Sequence, residues 1–76
     1  MITIRYFASL REQLGKAQEQ IEPAAGMTAL DAWKQANDGS VPPDNVLVAV
    51  NQAYASLDTN IASGDEVAFF PPVTGG

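Results

Sequence analysis

The chain has 76 residues, no cysteine and no histidine, and its four basic and nine acidic side chains leave a formal charge of −5. Disulfides, Ser-His-Asp or Cys-His catalysis and zinc sites of the Cys/His type are thereby excluded, and the negative charge argues against nucleic acid or an anionic membrane surface as partner. One small domain is expected, burying only about 60% of the surface its unfolded chain exposes, so the fold must rest on an apolar core drawn from the 46% of hydrophobic residues.

The N-terminal run alternates Ile2, Ile4 and Tyr6 with Thr3, Arg5 and Phe7, which predicts a first strand. It has neither the charged start of a signal peptide nor a long apolar span, so the cytoplasm is the expected compartment. Residues 8–14 carry Leu10 and Leu14 at i, i+4, enough for about two helical turns, and Gly15 is a natural stop. Residues 18–22 read as a polar second strand at an edge, with Ile21 its large apolar residue and Pro23 its end.

Thr28 with Asp31 three residues later forms the pattern of a capping box and opens a main helix over 28–37. Its packing face is expected to carry Leu30 and Trp33, with Ala29 and Ala36 beside them; Asp38-Gly39-Ser40 closes it. Residues 46–50 form the strongest β run, Asn51-Gln52 a turn, and 53–56 a short returning strand. Ser63-Gly64-Asp65 marks a further turn before a last strand at 66–70, stopped by Pro71-Pro72. Strand, strand, helix, strand, short strand, strand is the order of an α+β β-grasp (ubiquitin-like) roll, a mixed sheet covered on one face by one main helix. The domain is expected to occupy residues 1–70, with 71–76 an extended tail.

The interior offers little chemistry, so the tail is the first candidate. A Gly75-Gly76 ending has two readings: a small-residue terminus of no consequence, or a terminus that must pass through a narrow channel, where the lack of a Cβ allows close backbone approach. Pro71-Pro72 would hold the root extended, and from Phe70 to Gly76 an extended chain reaches about 20 Å at roughly 3.3 Å per residue. A carboxylate at Gly76 is inert until an ATP-dependent enzyme converts it to an acyl-adenylate. A sulfur nucleophile then yields a thiocarboxylate, and a nitrogen nucleophile an amide. Without cysteine, sulfur carried covalently belongs on this acyl group.

Strand parity places Phe7 opposite Ile2, Ile4 and Tyr6, and Phe70 opposite Val67 and Phe69. If the first and last strands are neighbours, both rings emerge on the face the helix leaves open and mark an interaction surface; a bend or bulge tucking one ring into the core is the alternative. Arg11 either rims this patch or is a solvated helix charge beside Glu12. Trp33 reads as core. Asp65 and Glu66 are adjacent on a turn and a strand and point apart, and Asp31, Asp38, Asp44 and Asp58 scatter over caps and turns, so no metal site is expected.

The block Gly64-Asp65-Glu66-Val67-Ala68-Phe69-Phe70-Pro71-Pro72-Val73-Thr74-Gly75-Gly76, with Tyr6-Phe7-Ala8, Leu10-Arg11-Glu12 and Val50-Asn51-Gln52, resembles the small subunit of molybdopterin synthase, the MoaD family of ubiquitin-like sulfur carriers. The resemblance spans both ends and the centre and diverges over residues 16–45. It implies that a ubiquitin-activating-like adenylyltransferase uses ATP to adenylate Gly76, and that a sulfur donor protein turns the acyl group into a thiocarboxylate. Gly75 would let the tail thread into the large, catalytic subunit, where sulfur passes to cyclic pyranopterin monophosphate. Phe7, Arg11, Tyr54, Phe70, Pro71, Pro72, Val73 and Thr74 would contact that subunit in a heterotetramer, two small subunits on a dimer of large ones. No tightly bound cofactor is implied. The thiazole-forming sulfur carrier of thiamin synthesis shares the fold and the Gly-Gly end, but Phe-Phe-Pro-Pro-Val-Thr-Gly-Gly favours the molybdopterin role. A lysine-directed protein modifier and a plain binding module are readings from other classes.

A free terminal carboxylate is the requirement common to both acyl-transfer readings. One residue added after Gly76 should abolish function and leave the melting temperature unchanged; cofactor synthesis by the extended protein with the residue still attached would refute the requirement.

Overall fold

The computed structural model describes residues 1–72. Its elements are β1 (Ile2–Tyr6), α1 (Ala8–Leu14), β2 (Gln18–Ile21), α2 (Ala29–Ala36), β3 (Leu47–Val50), β4 (Ala53–Ala55) and β5 (Glu66–Phe70). They build one five-stranded sheet in the order β2-β1-β5-β3-β4. β1 and β5 pair in parallel at its centre, and the other pairings are antiparallel. This is the β-grasp expected from the element order. The second, third and fourth strands each give up one residue of their expected span, at Glu22, Val46 and Ser56.

The core lies between α2 and one face of the sheet. Ile2, Ile4 and Tyr6 of β1, Val48 of β3, and Val67 and Phe69 of β5 point into it. Each such side chain contributes about 1.5–3 kcal/mol by leaving water. α2 answers with Ala29, Ala32 and Trp33, and Ala36 packs at the edge. The expected helix face is thereby corrected: Leu30 is half-buried outside the stripe, which runs at i, i+3, i+4, i+7 from Ala29. One step along a helix turns a side chain by about 100°, so Leu30 cannot share a face with Ala29 and Ala36. Alanines along the stripe let the helix axis approach the sheet, and Trp33 is the one large side chain α2 buries there. The indole stands edge-on to Tyr6, centroids 5.7 Å apart, and to Phe69 at 5.0 Å. Its Nε1 is buried with no acceptor among the described residues, so Trp33 acts by packing alone.

Every early backbone donor of α2 is satisfied. Ala29 N–H donates to Thr59 O and Leu30 N–H to Leu57 O, each at 3.0 Å. Asp31 N–H donates to Thr28 Oγ1, while the Asp31 carboxylate accepts from Thr28 N–H, completing the expected capping box. α1 ends where Gly15 turns left-handed at φ 73° and donates back to Arg11 O, a conformation that costs glycine nothing.

A polar clasp ties β1, β2 and the end of α2 together. The Tyr6 hydroxyl donates to Glu19 Oε2 at 3.0 Å and accepts from Asn37 Nδ2 at 3.1 Å. Lys16 Nζ pairs with the same Glu19 oxygen at 2.6 Å and donates to Ala36 O at 2.8 Å. Burial first, and Glu19 after it, hold the Tyr6 phenol well above its ordinary range, although the Asn37 amide pulls the other way. Tyrosine in the unfolded chain ionises near pH 10. Above that pH the unfolded state therefore binds fewer protons than the folded one, and stability falls. Tyr6→Phe should lower stability by about 1 kcal/mol at neutral pH and flatten this alkaline decline; urea unfolding of the two proteins across that pH range tests it, and parallel curves would acquit Tyr6.

Candidate functional site

The register of β1 against β5 builds the site. Tyr6 pairs with Phe69 on the core side, so the next residue of each parallel strand emerges together on the face that α2 leaves open. The rings of Phe7 and Phe70 stack there, centroids 4.8 Å apart and planes 14° from parallel. Phe7 N–H donates to Phe69 O at 3.2 Å, holding the pair side by side past the end of β1. Phe7 is 37% exposed; Phe70 is half-buried beneath it. No bulge carries either ring into the core.

Around the stack lies an open concavity of about 340 Å³. Ala49 and Ala68, paired across β3 and β5, form its floor. Both are buried although they face away from α2, because the larger side chains around them shield residues that have only a methyl group. Tyr54 on β4 rises at one side, 84% exposed, next to Gln52. At the other side Arg5 meets Glu66, N to O 3.6 Å, and the Arg5 guanidinium lies 5.9 Å from the Phe7 centroid, within cation–π reach. Exposed pairs of this kind contribute about 0–1 kcal/mol, so Arg5 and Glu66 matter more as a charged border than as a staple.

The rim is held by the turn joining β3 and β4. Asn51 and Gln52 both take positive φ, 52° and 70°, the geometry of a two-residue hairpin turn that follows the twist of its strands. Asn51 also bridges to β5: its Nδ2 donates to Asp65 Oδ1 and its Oδ1 accepts from Glu66 N–H, each at 3.0 Å. The Asn51 amide, with the Ala62 N–H after it, holds the Asp65 carboxyl below its usual range. Asp65 is thus turn chemistry, as expected, whereas Glu66 belongs to the border of the concavity.

Phe7, Phe70 and Tyr54 are gathered around one concavity. Arg11 is not. It is exposed on α1, away from the lining, and forms no ion pair with Glu12 among the described residues. Ala8 takes a left-handed φ of 52°, so strand parity stops at Phe7 and the chain turns away before Arg11. The cation at the patch is Arg5, which sequence reasoning missed. Its signal was present, since Arg5 shares the parity of Phe7 and Glu66 that of Phe70. Pro71 is half-buried and Pro72 exposed beside α1. Val73, Thr74, Gly75 and Gly76 lie outside the described residues.

Comparison with known proteins places this geometry. The family described as the ThiS family matches residues 4–76. The molybdopterin synthase sulfur carrier subunit of Escherichia coli (strain K12) is 39% identical over 83 residues, which cover all of both chains. The crystal structure of SAMP1 from Haloferax volcanii, also called small archaeal modifier protein 1, superimposes with a TM-score of 0.79 at 30% identity, over 99% of this chain and 98% of that one. A complex of subunits 1 and 2 of molybdopterin-converting factor from Helicobacter pylori 26695 contains a chain with a TM-score of 0.63 and 26% identity, over 99% of this chain and 97% of that one. The match runs over the strand that carries Phe70 and over residues 71–76, and the chain belongs to the ThiS family.

Proposed function

We propose that this chain is the sulfur carrier subunit of a molybdopterin synthase, active in the cytoplasm and without catalytic machinery of its own. The observation that carries the reading is the likeness to the Escherichia coli sulfur carrier along the whole of both chains. In this reading the Gly76 carboxylate attacks the α-phosphorus of ATP on an adenylyltransferase and pyrophosphate leaves. Hydrosulfide delivered by a donor protein then attacks the acyl carbon and AMP leaves, so that the acyl group becomes a thiocarboxylate. The large subunit takes up the tail, and the sulfur passes to cyclic pyranopterin monophosphate.

The chain's own part is to dock and to present. With no cysteine or histidine, it has no thiol or imidazole side chain to compete with its terminus, which suits a carrier whose reactive group lies there. The Phe7–Phe70 stack stands where the chain leaves the sheet, so a partner seated on it meets the root of the tail. Phe7, Tyr54, Phe70, Pro71, Pro72, Val73 and Thr74 are proposed to meet the large subunit, with Gly75 threading its channel. Arg5 is added to this set as the cation beside the stack. Arg11, if it contacts the partner, does so from α1 and apart from the concavity. The Helicobacter pylori complex of two subunits supports a large-subunit partner. The likeness to SAMP1 favours a second reading, transfer of the same acyl-adenylate to amines; detection of Gly76 in amide linkage to cellular proteins would promote it.

Incubation with the activating enzyme, ATP and a sulfur donor should raise the intact mass by one oxygen-to-sulfur exchange, localised to Gly76. No change with an active enzyme and donor would refute the carrier role. Phe70→Ala should weaken binding of the large subunit by about 2 kcal/mol or more, as central aromatic anchors do; calorimetric titration checks this, and unchanged affinity would remove the stack from the interface.

A further inference from the structure

A second concavity, of about 190 Å³, lies at the root of the tail and shares no lining residue with the first. Phe70 borders the aromatic concavity, and the next two residues, Pro71 and Pro72, border this one. Its apolar lining comes from Leu10, Pro43, Val46 and the two tail prolines. Its polar lining residues are Ser9, Gln13 and Asp44, the last the one charged residue among them.

Asp44 is held in place by its backbone. Val46 N–H donates to Pro43 O at 3.3 Å, and Asn45 takes φ 64°, a left-handed conformation that asparagine tolerates. Its own carboxylate makes no hydrogen bond or ion pair among the described residues. No basic residue lines the notch, and the chain as a whole is acidic, at −5. Proline and leucine surfaces around one carboxylate match the two parts of a long cationic side chain: an apolar stem that lies along hydrophobic walls and a charged head. Arginine suits it best, since its planar fork can meet a carboxylate with two hydrogen bonds. The size admits one side chain and excludes a helix.

We infer that the Asp44 notch receives an arginine or lysine side chain of the large subunit as that subunit takes up the tail. The inference rests on the proposed carrier role, because a partner that takes up the tail meets its root, and Pro71 and Pro72 of that root line the notch. Docking is then two-sided: an apolar contact at Phe7 and Phe70 supplies most of the affinity, and a charge contact at Asp44 fixes the direction in which the tail leaves. A pair at the border of an interface acts mainly through approach and salt dependence.

The test is titration of the large subunit with the full chain at low and at high salt. Asp44→Asn should weaken binding about threefold to fivefold at low salt, and the difference should vanish at high salt, where the pair is screened. Asp44→Lys, which places like charges together, should weaken it further. Asp44 is exposed and its side chain makes no internal bond, so both variants should melt with the wild type. Asp44→Asn binding as tightly as wild type at low salt, or losing affinity equally at both salts, would overturn the notch and leave the carrier role standing. Failure of the wild type to bind the large subunit would sink both.

Discussion

The in-register parallel pairing of β1 with β5 is the constraint on which the rest of this molecule depends. Side chains alternate along a strand, so one pairing with Tyr6 opposite Phe69 settles both faces of the sheet at once. Inward, it gives Trp33 two rings to pack against. Outward, it sets Phe7 against Phe70 at the place where the chain leaves the sheet as the tail. A slip of one residue would reverse every side chain on β5, turn Phe70 and Ala68 toward α2, and put Phe69 on the open face. The aromatic core and the aromatic patch are therefore set by one strand register, seen from its two sides.

Small residues do the complementary work. Ala29, Ala32 and Ala36 bring α2 close to one face of the sheet, and Ala49 with Ala68 makes a floor on the other. A larger residue at either of the last two positions would fill the concavity and part Phe7 from Tyr54. Surface that would otherwise be flat becomes a recess bounded by rings, with Arg5 and Glu66 at one border. A domain of this size has little stability to spare, and leaving two phenylalanines half-covered forgoes part of what their burial would contribute. The Tyr6–Glu19–Lys16–Asn37 clasp and the fully satisfied start of α2 offset this away from the docking face.

This division suits a carrier. The chemistry proposed for the terminus is supplied by partners, and what the chain must provide is a defined surface at the root of its tail. The stack and the Asp44 notch border successive residues of the tail root, Phe70 in one and Pro71 and Pro72 in the other. A partner reading both surfaces would know where the tail begins and which way it points.

Most of the fold was legible in the residues themselves. Alternation in 1–7 and 66–70, the Thr28–Asp31 cap, the Gly15 stop and the Asn51-Gln52 turn are local signals, and local signals survive folding because they act through neighbours in the chain. Parity also placed Phe7 and Phe70 on the face away from the helix, once the first and last strands were taken as neighbours. The helix face was misjudged at Leu30, since hydrophobicity named a large side chain where close packing against the sheet required alanine. For Arg11 the sequence leaves the rim of the patch and a solvated helix charge equally open, and the left-handed Ala8, which carries the helix elsewhere, decides for exposure on α1. Arg5 with Glu66, the alanine floor and the notch at Asp44 each join residues from distant parts of the chain. Their meeting depends on which strand lies beside which and in what register. That is a property of the packed core, so the sequence determined the elements and their faces, and only the tertiary structure decided which side chains share a site.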